Sequence, residues 1–101
     1  MRVNVQSVNF TVDQKLVNFT KKKLTKLEGH YNRIISATVF MKVQKTSTKE
    51  NKETEILLNI PGHEYIVKKT YKTFEEGVDQ CLSTLERKLK RTKEYKKLKL
   101  D

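Results

Sequence analysis

Tryptophan is absent from this chain, and cysteine occurs once, at Cys81. A single cysteine closes no intramolecular disulfide, so nothing in the composition asks for an oxidising compartment. The two histidines, His30 and His63, stand in no metal-ligand spacing with Cys81, and the three glycines build no phosphate-cradling loop. No Ser/His/Asp arrangement is present. No apolar run approaches the ~20 residues of a membrane-spanning helix, and no signal peptide opens the chain. Acidic residues are few: 12 against 22 Lys and Arg, a formal charge of +10. These absences lead us to expect a cytoplasmic protein that is not an enzyme, with no cofactor, no metal and no small-molecule substrate. The excess of positive charge points to a polyanionic partner, whether RNA, DNA or an anionic membrane surface, and composition does not choose among them.

What is present suits one domain. The chain has 101 residues, of which 36% are hydrophobic, enough for a modest core between two layers. Its organising stretch is the last third, where Phe74, Val78, Leu82, Leu85 and Leu89 recur at three- and four-residue spacing and make one side of a helix apolar. Thr73 and Glu76 have the spacing of a capping box. The polar side changes sign, from Glu75, Glu76 and Asp79 to Arg87, Lys88, Lys90, Arg91 and Lys93. Matching of charge to the helix dipole accounts for two or three of these bases. It does not account for a run that continues through Lys96, Lys97 and Lys99. Cys81 falls on the apolar side, where a small buried thiol is expected.

From the amino end, Val3 and Val5 alternate with Asn4 and Gln6, which predicts a short half-buried strand over Met1 to Val8. Asp13 is a predicted N-cap, with Val12 and Val17 placed as a hydrophobic staple. Leu16, Phe19, Leu24 and Leu27 then follow helical spacing as far as Gly29, the expected terminator. Lys23 lies close to the centre of that stripe. Two readings stand equally: a snorkelling stem with its ammonium at the rim, or a base sharing an anionic target with Lys21, Lys22 and Lys26. Arg33 to Lys45 alternates, with Ile35, Ala37, Val39, Met41 and Val43 facing inward and Phe40 outward. An outward aromatic more often packs across strands than stacks on a base. Thr46 to Lys52 reads as a flexible loop and Glu53 to Ile60 as a strand burying Ile56, Leu58 and Ile60. Pro61-Gly62-His63 reads as a tight turn, and Glu64 to Thr70 as a fourth strand with Tyr65 and Val67 inward.

The element order is therefore β-α-β-β-β-α. A right-handed crossover makes the first two strands parallel, and hairpins add the other two. Strands that alternate need cover on one face only, so both helices are expected on the same face. The result is an α+β two-layer sandwich with a four-stranded mixed sheet over residues 1–93, followed by a basic, flexible tail over 94–101. On such a frame the bases of the two helices, Lys22, Lys23 and Lys26 with Arg87, Lys90, Arg91 and Lys93, can meet phosphates held at fixed spacing in folded RNA.

Three segments carry a resemblance: Leu24-Thr-Lys-Leu-Glu, Asn59-Ile-Pro-Gly and Leu85-Glu-Arg-Lys-Leu-Lys-Arg. Together with the element order over Met1 to Lys93, they resemble the ribosome hibernation-promoting factor family, also called ribosome-associated inhibitor or sigma-modulation proteins. The resemblance implies this same fold, binding to the small ribosomal subunit between head and body, and cover over the messenger and tRNA sites when ribosomes are idle under nutrient stress or in stationary phase. It implies that Lys23 and Lys26, on the first helix, and Arg87, Arg91 and Lys93, on the second, contact ribosomal RNA phosphates; Lys22 and Lys90 extend the same patch. A monomer is expected. The other readings of the residues are a general structured-RNA-binding module and a transcription modulator working through protein contacts. Thr73-Phe74-Glu75 departs from the Asp-Met-Tyr common among relatives, so any contact made by that Tyr is missing here. The length resembles the short type of the family.

Overall fold

The computed structural model describes the backbone of residues 1–100 and the side chains of residues 1–92. Strand β1 (Arg2–Val8) leads to helix α1 (Gln14–His30), followed by β2 (Ser36–Val43), β3 (Lys52–Ile60), β4 (His63–Tyr71) and helix α2 (Phe74–Leu100). The four strands lie in the order β1-β2-β3-β4. β1 runs parallel to β2, and the two hairpins are antiparallel. This is the α+β sandwich the alternation predicts. Lys93 and the expected flexible tail over 94–101 lie outside the described side chains.

The register explains why one face is covered and the other is not. Val3, Ala37 and Leu58 fall in one row across the sheet, with Tyr65 beyond; Val5, Val39, Ile56 and Val67 form the next. Ala37, Val39, Ile56, Leu58 and Val67 are buried there beneath Leu24 and Leu27 of α1 and Phe74, Val78, Leu82, Leu85 and Leu89 of α2. Each of these side chains other than Ala37 contributes roughly 1.5–3 kcal/mol of burial free energy. The opposite rows carry Thr38, Phe40, Lys42, Glu53, Glu55, Ile66 and Lys68. Phe40 faces out as expected, level with Gln6 and Glu55 and half-buried.

The caps behave largely as their residue types dictate. Asp13 accepts from the Leu16 amide at 2.8 Å, and Thr73 accepts from the Glu76 amide at 3.1 Å. Phe10, ahead of α1, stacks on Phe74 with ring centroids 4.8 Å apart and so ties the two helix starts together. Gly62 takes φ +77° between Pro61 and His63, the conformation that position of a type II turn requires.

Two expectations are corrected. Gly29 does not end α1; the helix runs through His30, and the Tyr31 amide donates to the carbonyls of Leu27 and Glu28. Burial of the Tyr31 ring, 6% exposed, turns the chain there without a left-handed glycine. Ile35 is exposed and Ile34 is buried instead. β2 starts only at Ser36, so strand alternation does not extend back to the connection from α1.

One close approach fixes how α2 sits. A methyl group at Gly77 would overlap Thr54 Oγ1 and lie 3.1 Å from Thr54 Cβ, so the missing side chain is what lets the helix settle on β3. Cys81, one turn further on, is fully buried and directs its thiol at the Thr54 carbonyl at 3.6 Å.

Candidate nucleic-acid interface

The two helices lie side by side on the covered face, and a groove runs between them. Lys23, Lys26, Leu27 and His30 of α1 face Asp79, Leu82, Ser83 and Glu86 of α2 across a cavity of about 180 Å³. A second cavity of about 140 Å³ continues it past Tyr31 to Leu89 and Lys90. Lys22, Lys23 and Lys26 also border an open depression beside α1, with Phe19 at its base. Lys23 and Lys26 of α1 and Lys90 of α2 are therefore brought to one groove floored by Leu27, Leu82 and Leu89, and Lys22 lies beside it on the outer flank of α1. Lysine ammonium groups on such a rim suit phosphate oxygens, because each is a compact charge on a flexible stem.

Lys23 takes the snorkelling arrangement, the first of its two expected readings. Its stem crosses the apolar stripe, its ammonium sits 5.3 Å from the Phe19 ring centroid, and it pairs with Asp79 of α2 at 3.3 Å. Lys90 pairs with Glu86 one turn back at 3.9 Å. Both pairs are partly open to solvent, and such pairs contribute about 0–1 kcal/mol. A phosphate can replace either carboxylate at little cost. Among the described residues Lys22 and Lys26 are in no ion pair, and both are exposed.

The remaining bases of α2 point elsewhere. Arg87 lies about 200° round the helix from buried Leu85; it is exposed and its guanidinium reaches Thr84 Oγ1 at 3.2 Å. Arg91 lies on the β4 side, beside the Pro61-Gly62-His63 turn. Two residues outside the expected binding set join these surfaces. His30 lines both cavities of the groove, one turn beyond Lys26, a spacing that could have flagged it. Lys88 lies 5.6 Å from the Tyr65 ring centroid, a tertiary contact with no sequence signal. Among the described residues, no group of three His, Cys, Asp or Glu side chains is placed to hold a metal ion, and no helix is long and apolar enough to cross a membrane.

A small α+β domain with a one-sided helical layer and a basic interhelical groove defines the class. The family described as "Sigma 54 modulation protein / S30EA ribosomal protein" matches residues 3–97, and the chain belongs to it. A protein of Pseudomonas putida named "Ribosome hibernation promoting factor" is 32% identical over 94 residues, spanning 93% of this chain and 88% of that one. A protein of the same name from Azotobacter vinelandii is 29% identical over the same length. The fold is shared with a ribosomal subunit interface protein from Coxiella burnetii, at a TM-score of 0.81 and 18% identity, covering 92% of this chain and 98% of that one. It is shared too with the N-terminal domain of Protein Y from Thermus thermophilus, at 0.78 and 19%, covering 91% and 99%.

Proposed function

We propose that this protein is a ribosome hibernation factor that binds the small ribosomal subunit as a monomer and blocks its messenger and tRNA sites in the cytoplasm during stress or stationary phase. The observation that carries this reading is the convergence of Lys23, Lys26 and Lys90 on one groove between two helices, with Lys22 beside it on α1. Relatives bearing the hibernation name over nearly the whole chain support it. The mechanism is steric occlusion steered by charge. The +10 domain is drawn towards RNA, the helical layer settles on phosphates at the spacing of the two helices, and the folded body fills space that tRNA and messenger need. The chemistry is binding alone.

Engagement of about five phosphates makes affinity fall with roughly the third to fifth power of salt concentration. The test is co-sedimentation with purified small subunits, with excess tRNA and with duplex RNA as competitors. Saturable binding that tRNA displaces and duplex RNA does not is the expected result. Displacement by both alike would reduce the protein to a general structured-RNA binder. Absence of binding, or binding that ignores salt, would redirect attention to protein partners.

A further inference from the structure

On the β4 side of α2, away from α1, the β3–β4 turn and the helix enclose an open cavity of about 410 Å³. Its floor is apolar, from buried Ile60 and the ring of Pro61. His63 and Tyr65 form its aromatic wall, with centroids 4.4 Å apart and planes at 70°. Arg91 stands on the helix side with its guanidinium exposed. Tyr65 is held in place rather than free: its hydroxyl hydrogen-bonds the Thr92 hydroxyl, which in turn donates to the Lys88 carbonyl at 3.2 Å, and the Lys88 ammonium lies over its ring.

This chemistry differs from that of the α1–α2 groove. There, lysines and acids line a narrow cleft suited to backbone phosphates. Here a flat aromatic group finds a π-surface and an apolar floor, while an attached phosphate finds an arginine fork, a pairing that unstacked nucleotides exploit. The volume is near the lower end of ligand-binding clefts, roughly 300–1,000 Å³, which suits one base with its sugar and excludes a paired stem. Bases inside a duplex are stacked on both sides and cannot enter.

We propose that the cavity bounded by Pro61, His63, Tyr65 and Arg91 takes one unstacked base of a single-stranded RNA segment, with the adjoining phosphate on Arg91. The proposal deepens the RNA-binding reading above and rests on it for its biological setting. It adds a second kind of contact to that reading: the groove between the helices reads phosphate spacing, and the turn cavity requires an unpaired nucleotide. His63 is then a binding residue and not only the first residue of a strand.

The test uses the full chain and a single-stranded adenosine hexaribonucleotide, followed by NMR and fluorescence anisotropy, beside a blunt-ended, loop-free RNA duplex at the same phosphate concentration. The hexamer is expected to shift the ring resonances of His63 and Tyr65, and the duplex to leave them in place. His63→Ala and Arg91→Gln, both at exposed positions, are each expected to weaken hexamer binding about 10-fold with the thermal midpoint retained. Hexamer-induced shifts confined to α1 and the interhelical groove would overturn the proposal, as would parental affinity in both variants. Co-sedimentation with small subunits separates this from the functional reading. If the parent binds subunits and the ring resonances ignore the hexamer, the cavity assignment fails and hibernation stands. If the hexamer shifts the rings and subunits do not bind, the cavity stands and hibernation fails.

Discussion

Lys23 of α1 and Asp79 of α2 join the two helices through a 3.3 Å ion pair at the mouth of the groove between them. In the function proposed above, an RNA phosphate displaces this carboxylate from Lys23. The pair is half-exposed, so breaking it costs less than about 1 kcal/mol. Asp79→Asn should therefore leave the unfolding midpoint nearly unchanged and tighten small-subunit binding about 2- to 5-fold at low salt. Lys23→Gln should weaken it, and the gain from Asp79→Asn should vanish in the Lys23→Gln background. That last comparison separates release of Lys23 from the general effect of one less negative charge. An equal gain in both backgrounds would mean that Lys23 stays on Asp79 in the complex.

The contact between Gly77 and Thr54 makes a stability prediction. Alanine at an ordinary helix position is better than glycine by about 1 kcal/mol. At Gly77 the added methyl meets Thr54 Oγ1, a buried hydroxyl on β3 with no hydrogen-bond partner among the described residues. Thr54 is β-branched and fully buried, so it cannot swing aside. Gly77→Ala should destabilise by about 1–3 kcal/mol in urea unfolding. In a Thr54→Ala background the same substitution should cost at least about 1 kcal/mol less, because the overlapping hydroxyl is gone. Equal costs in the two backgrounds would place the strain elsewhere.

Much of this architecture was legible because single-face burial writes itself into period. Val3 and Val5, Val39 and Met41, and Ile56 and Leu58 alternate because only one sheet face is covered; Val78, Leu82, Leu85 and Leu89 repeat because one helix side is. Asp13 and Thr73 cap where their side chains reach free amides. What was not legible depends on neighbours distant in sequence. Burial of Tyr31 overrode the terminator at Gly29. Ile34 and Ile35 exchanged roles because the strand starts one residue after them. The bases of α2 read as one run, yet the turn of the helix sends Lys90 to α1 and Arg91 to the β3–β4 turn. Only the partner side of each residue distinguishes them.

Cys81 should be chemically quiet in the folded protein. Burial pushes its thiol up to about 11 from 9.0, against the opposing positive charge of Lys69 and a backbone hydrogen bond. At any pH below 9 the thiolate is then about 100-fold scarcer than in the unfolded chain. Iodoacetamide at pH 8 should label native protein at least 100-fold more slowly than protein in strong denaturant. Because the folded value is the raised one, the associated stability is present in full below pH 9 and is lost as pH climbs from 9 to 11. Rapid labelling of the native state would show that α2 lifts from β3 far more often than this packing allows.

Salt dependence tests the groove itself, because each lost phosphate contact removes a defined increment of slope. Lys22 and Lys26 are exposed and in no ion pair among the described residues, so neutralising them leaves no buried charge unpartnered and little packing lost. The double substitution Lys22→Gln, Lys26→Gln should keep the thermal midpoint within a few degrees. It should lower the slope of log affinity against log salt by about 1.4–1.8, close to the sum for two contacts at ~0.7–0.9 each. Reversal at both Arg87 and Arg91 should likewise weaken subunit binding at least 10-fold without unfolding, since both side chains are exposed. The slope discriminates where affinity alone does not. A variant that binds more weakly at every salt concentration with its slope intact has lost shape or packing. One whose slope falls in step with the lysines removed has lost phosphates, and only that result places ribosomal RNA against the lysines of α1.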